Sequence, residues 1–220
     1  MRRALVAGGT GRVGSAIVAR LEADGWNVVA AGRAQGDLTT VAGARALVDQ
    51  AERELGGLDL VVHAAGDGFQ RKAVAEVTEA DWDRAMDITA KSTFFLAQAA
   101  APALRAGNGV FVVVEDVAGY EPWPSFAPHS AAKAAQAMLT RILAQALAPA
   151  IRVCGVAPGT VAVEPEDEQR QADRTLLRRV GSPADVAGAV AYLATADFVT
   201  GTTLVVDGGR LAKSARPPIP

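Results

Sequence analysis

The sequence predicts an α/β protein built on one doubly wound parallel sheet of six or seven strands. Three observations predict it. Short β-branched runs alternate with longer amphipathic stretches along the whole chain. Several of the short runs are apolar without alternation, the pattern of strands covered on both faces. The order strand, helix, strand repeats without a break, and right-handed crossovers turn that order into a parallel sheet.

The elements follow in order. Strands are expected at 4–7, 27–31, 58–63, 110–115, 151–156 and 203–206, and helices at 13–24, 41–55, 80–104, 130–148 and 183–194. The first strand runs straight into Gly8-Gly9-Thr10-Gly11-Arg12-Val13-Gly14. Such a turn leaves N–H groups unpaired at a helix N-terminus, where the helix dipole also favours a pyrophosphate, so the sheet reads as Rossmann-like. After the second strand only Ala34-Gln35-Gly36 separate Gly32-Arg33 from Asp37-Leu38-Thr39 and the next helix. A crossover helix and a full strand do not fit there, so one βα unit is shortened. That strand also ends without a carboxylate to bond a ribose 2′-hydroxyl, and Arg33, with Arg12 at the same corner, suits a 2′-phosphate. NADP(H) is therefore expected over NAD(H). The folded domain is expected over residues 1–212, with a Pro-rich tail at 213–220.

Composition narrows the function classes. At 220 residues and 50% hydrophobic, the chain has enough apolar surface for one core. A net charge of −2 gives no basic footprint for nucleic acid. The single Cys154 lies in an apolar run and reads as a packed strand residue in a reducing compartment. No stretch has the length and apolarity of a signal or membrane segment, so a cytoplasmic protein is expected.

Seven stretches, in order, resemble the short-chain dehydrogenase/reductase superfamily over essentially the whole chain. They are Gly8 to Gly14; Asp37-Leu38-Thr39; His63-Ala64-Ala65-Gly66, where the family has Asn-Asn-Ala-Gly; His129-Ser130-Ala131-Ala132-Lys133 at the Tyr-x-x-x-Lys position; Ala157-Pro158-Gly159; the run from Arg179 to Ala187; and Val205-Val206-Asp207-Gly208-Gly209. The resemblance implies a cofactor site made by Gly8, Thr10, Arg12, Val13, Gly14, Arg33, Asp37, Leu38, Ala64, Ala65, Gly66, Lys133, Pro158, Gly159 and Val161, with no metal. It implies catalytic positions at His129, Lys133, Asp116 and Thr89, the last where the family has an assisting Asn. Arg12 within the turn and Asp116, 13 residues before the Tyr position, are features shared with pteridine reductases.

Hydride transfer to C=N or C=O needs a proton donor beside the acceptor and a cation near the nicotinamide ribose. Lys133 stands at the cation's position, and His129 stands where the family's Tyr donor belongs. An imidazolium held by Asp116 is a competent donor; the bland alternative has His129 capping its helix in a protein that binds cofactor without turnover. A third reading has the shortened adenine side too eroded to hold a dinucleotide. The acidic stretch from Glu164 to Glu168 reads as a solvated loop. Phe69 is a candidate to stack on a planar substrate, and Trp123 and Phe126 either wall the pocket or pack a loop. The resemblance also implies a homo-oligomer, tetramer or dimer, assembled through the helices at 80–104 and 130–148, acting on a small-molecule substrate.

Overall fold

In the computed structural model, which describes residues 1–66, 70–161 and 164–214, six parallel strands form one sheet. In chain order they are β1 (Arg3–Ala7), β2 (Asn27–Ala31), β3 (Leu60–His63), β4 (Val110–Val114), β5 (Arg152–Pro158) and β6 (Thr203–Val206), arranged β2-β1-β3-β4-β5-β6. The register pairs Ala7 with both Ala31 and His63, His63 with Val113, and Pro158 with Val206. The carboxyl ends of the strands thus form one rim.

Helices cover both faces. The even-numbered side chains of β1, β3 and β4 (Val6, Val62, Val112) meet α1 (Arg12–Ala23) and α7 (Pro183–Thr195). The odd-numbered ones (Leu5, Val61, Phe111) meet α2 (Val41–Leu55), α4 (Ser92–Ala106) and α5 (Ala127–Leu147). This double cover explains why the strand runs carry no polar alternation. Cys154 is such a strand residue: it is fully buried, its Sγ lies 3.3 Å from Val199 O, and burial pushes its thiol pKa up.

The shortened unit after β2 is present as expected. β2 is an edge strand among the described residues, and the chain turns through Asp37 and Thr40 directly into α2. Thr40 caps that helix by accepting from Gly43 N, and Gly56 ends it in the left-handed conformation.

The structure differs from the expected elements in several places, among them α5, which begins at Ala127 rather than at 130 and so takes in His129. The single helix expected at 80–104 is α3 (Glu79–Met86), a π-helical turn (Asp87–Lys91) and α4. Ser92 Oγ and Thr93 Oγ1 bond back to Ile88 O (2.6 Å) and Thr89 O (2.7 Å), a competition with the backbone ladder that favours a local distortion. β3 starts at Leu60, two residues after the expected 58. Ala157 and Pro158 belong to β5 rather than following it. The acidic stretch is not a loop but the start of α6 (Pro165–Ala172): Pro165 takes the first helical position, and Glu166, Asp167 and Glu168 face the positive end of the helix dipole. Beyond residue 212 the chain continues α8 (Arg210–Ser214), and the remaining Pro-rich residues lie outside the described residues.

Candidate active site

The glycine turn is shaped by contact. Gly8 takes a φ of +87° and its N–H, with that of Gly9, donates to Ala31 O (2.8 and 2.9 Å). A Cβ on Gly8 would lie 2.5 Å from the backbone of Ala64 and Ala65, and one on Gly14 would lie 2.0 Å from Gly8 O. The turn, the first turn of α1 and the loop after β3 therefore touch backbone to backbone, and α1 begins at Arg12 behind Gly11, which has no side chain to cap it. This cradle, closed to any Cβ and ending at an uncapped helix, fits a pyrophosphate. The site's residues fit the dinucleotide that the fold family uses.

A groove of about 960 Å³ opens beside the cradle. Gly8, Thr10, Arg33, Asp37 and Leu38 line it together with Ala64, Ala65 and Gly66. Asp37 accepts from Thr39 Oγ1 (2.7 Å) and Thr39 N (2.9 Å); these bonds, with the charges of Arg33 and Lys91 adding, hold its carboxyl below the usual range. Arg12 is exposed at the head of α1, with Val13 half-buried and Gly14 buried behind it. Pro158 ends β5, Gly159 packs on Asp207 and Val161 pairs with Gly181, and none of the three lines the groove.

Asp116 follows β4, its Oδ1 accepting from Ala118 N (2.8 Å) and its Oδ2 3.4 Å from Nε2 of His129. His129 is the third residue of α5, entered through Pro128, and Lys133 lies one turn further on the same face. Lys133 is 7% exposed, and its Nζ donates to Val114 O (2.9 Å), Glu115 O (3.4 Å) and Gln136 Oε1 (2.9 Å). Burial lowers its pKa, opposed by the carboxylates of Asp116 and Glu115. Gln136 is fully buried and donates to Thr93 Oγ1 (2.8 Å) and Thr89 O (3.5 Å), so the π-helical turn offers Thr89 through its carbonyl. His129, Asp116, Lys133 and Thr89 are thereby brought together. Thr89, Pro128 and His129 also line a smaller cavity. Arg84 and Ile88 line both this cavity and the groove, so the two adjoin, a cleft in two parts.

Neither Gln136 nor Arg84 stood out in the sequence. Their signals were positional: Gln136 lies three residues after Lys133, and Arg84 four before Ile88, on shared helix faces. Trp123 and Phe126 pack a loop, edge to face at 6.1 Å, with Trp123 Nε1 donating to Glu121 Oε1 (2.6 Å). Phe69 lies outside the described residues. Among the described residues no cluster of His, Cys, Asp and Glu could hold a metal, and no helix is long and apolar enough to cross a membrane.

Comparison with known proteins agrees with this geometry. A family model described as enoyl-(acyl carrier protein) reductase matches residues 15–210. The chain is 34% identical over 239 residues to human dehydrogenase/reductase SDR family member 4, covering 94% of this chain and 86% of that one. The chain belongs to the short-chain dehydrogenase/reductase family. That alignment is longer than this 220-residue short-chain dehydrogenase/reductase itself, so the human relative carries residues that this member lacks. Among solved structures, a blue fluorescent protein from a metagenomic library in complex with NADPH is 30% identical with a TM-score of 0.86, covering 95% of this chain and 97% of that one. A 7α-hydroxysteroid dehydrogenase complexed with NADH and 7-oxo glycochenodeoxycholic acid is 28% identical with a TM-score of 0.88, covering 94% and 93%. The short-chain dehydrogenase/reductase fold binds nicotinamide dinucleotides of both kinds, and its members are oxidoreductases.

Proposed function

We propose that this oxidoreductase uses NADP(H) to reduce a small planar C=N or C=O substrate, pterin-like or a ketone, with His129 as proton donor. The observation that carries this reading is the His129–Asp116 contact at 3.4 Å, on the helix face that also holds Lys133, at one end of the cleft. The cradle at Gly8 and Gly14, with Arg12 and Arg33 toward the 2′-phosphate, holds the dinucleotide, and Pro158, Gly159 and Val161 close its far side. NADPH, when bound, supplies a hydride. Asp116 accepts from Nε2–H of His129 and orients the ring, which leaves Nδ1–H to pass to the substrate's nitrogen or oxygen. Lys133 adds a fixed positive charge beside that transfer.

The test is NADPH oxidation with dihydrobiopterin, dihydrofolate and a ketone panel. His129→Ala is expected to lower kcat by roughly 10²- to 10⁴-fold, the usual weight of one general acid, with NADPH affinity retained. Turnover that survives both His129→Ala and Lys133→Ala overturns the assignment.

A second reading is favoured by one observation: all three protons of Lys133 Nζ already have acceptors inside the protein. On it the chain binds the dinucleotide without turning it over. Calorimetry showing tight NADPH binding, with no oxidation on any substrate in the panel, selects it.

A further inference from the structure

β6 runs into a turn whose shape is set locally, with Asp207 accepting from Gly209 N (2.7 Å) and Leu211 N (2.8 Å). Segments flanking the cleft lean on this turn. Gly159 donates to Val206 O (2.9 Å) and lies so near Asp207 that a Cβ would be 2.8 Å from its Cα. Leu176 and Leu177, after α6, donate to Gly208 O (2.9 and 3.1 Å). From this turn Arg210 reaches the loop that leads into His129.

Arg210 is almost wholly buried, with 4% of its side chain exposed. Its Nε and Nη2 donate to Glu121 Oε1 (2.8 and 2.5 Å), and its guanidinium covers the Trp123 ring at 4.7 Å. In the other direction Nη1 donates to Thr160 Oγ1 (3.0 Å). A buried guanidinium is costly unless its charge and donors are matched, and here a carboxylate, a hydroxyl and an aromatic face match it. Fastening the chain end alone asks for no such group, since Lys213 Nζ already bonds Asp173 O at the surface. The buried charge sits where it joins two segments distant in sequence: the one entering Pro128 and His129, and the one carrying Pro158, Gly159 and Val161.

We propose that Arg210 is a positioning residue that sets the spacing between the His129 loop and the 158–161 segment, so that both meet one ligand. This rests on the reading above, in which those two segments face a bound dinucleotide. Glu121, Trp123 and Thr160 are its partners in that role, and the C-terminal turn becomes part of the site's frame.

The experiment uses two mild variants. Thr160→Val keeps the shape and removes the hydroxyl that accepts from Arg210 and donates to Gln171 Oε1 (3.4 Å), and Arg210→Lys keeps the charge toward Glu121 but cannot span both partners. Both are expected to bind NADPH about tenfold more weakly than the unchanged protein, beyond any fall in melting temperature from the lost internal bonds, because the two segments are no longer held at the spacing one ligand needs. NMR of the two histidines in the ligand-free protein gives a second readout: the His129 ring signals move, while those of the buried His63 stay in place. Unchanged NADPH affinity and unmoved His129 signals, with only a lower melting temperature, overturn the proposal and leave Arg210 a tail anchor. Equal movement of both histidines also overturns it, because that is general loosening. If the unchanged protein binds no NADPH, the dinucleotide reading falls while the His129 signals still decide the role of Arg210.

Discussion

His63 closes β3 with no exposed surface, and its Nε2 lies 2.7 Å from Ser92 Oγ. Because the Ser92 hydroxyl hydrogen is directed to Ile88 O (2.6 Å), Nε2 is the donor, and Nδ1 has no partner among the described residues. Burial first, and the charge of Lys133 second, push the His63 pKa down from 6.5 to about 3. Between those values the unfolded chain binds a proton that the folded chain does not, so stability is lost as pH falls through 6.5 and the loss is complete near 3. From pH 7 to pH 5 this one group costs roughly 2 kcal/mol. Urea unfolding at the two pH values measures it: His63→Asn, which retains a donor but does not titrate, is expected to lose about 2 kcal/mol less than the unchanged protein across that interval. Identical losses in the two proteins would show that His63 does not carry the effect. Asp81 and Asp185 have lowered pKa values as well, but carboxylates lose their contribution at lower pH and leave this window to histidine.

Among the elements, α4 and α5 raise the question of assembly. Most of their apolar surface is buried, but Phe94 on α4 and Met138 and Ile142 on α5 are 36%, 48% and 47% exposed. Met138 and Ile142 are one turn apart, so they form a stripe rather than isolated residues. We propose this stripe as the contact between copies, as the family resemblance implies. Ile142→Glu would put a charge into that contact, and light scattering is expected to report a smaller species than for the unchanged protein; an unchanged mass removes this surface from assembly. The elements also show what the sequence could disclose. β1, β3 and β4 were legible because an apolar run such as Leu60–His63 has few other places to go. The break at Asp87–Lys91 was not legible, since a π-helical turn adds one residue without disturbing the apolar spacing on either side. The acidic stretch that opens α6 hid its helix because its residues are poor in apolar periodicity and favour the first turn through the dipole alone. Asp116, His129 and Lys133 were readable as a set through the family resemblance, whereas Gln136 and Arg210 become meaningful only through what they touch.

At the scale of the molecule, the strand order decides where a ligand can lie. The chain leaves β1 through α1 on one face to reach β2, then crosses through α2 on the other face to reach β3, so the winding reverses between β1 and β3. A crevice opens at the carboxyl ends of strands at such a reversal. Residues 8–14 follow β1, 32–39 follow β2, 64–66 follow β3 and 115–129 follow β4, all on the same rim. On the proposed reading the 2′-phosphate meets Arg33, which lines the groove after the edge strand β2, and no carboxylate lies from Gly32 to Gly36 to repel it. At one hundred times its dissociation constant, NADPH is expected to stabilise the fold by about 2.7 kcal/mol, which for a chain of this size raises Tm by roughly 5–10 °C. At equal concentration NADH should raise it less. Arg33→Ala should weaken NADPH by about tenfold while leaving NADH nearly unchanged, because only the phosphate contact is removed. Equal shifts from the two cofactors, unaffected by Arg33→Ala, would overturn the 2′-phosphate assignment and leave the cradle intact; no shift from either would mean that the shortened adenine side no longer holds a dinucleotide.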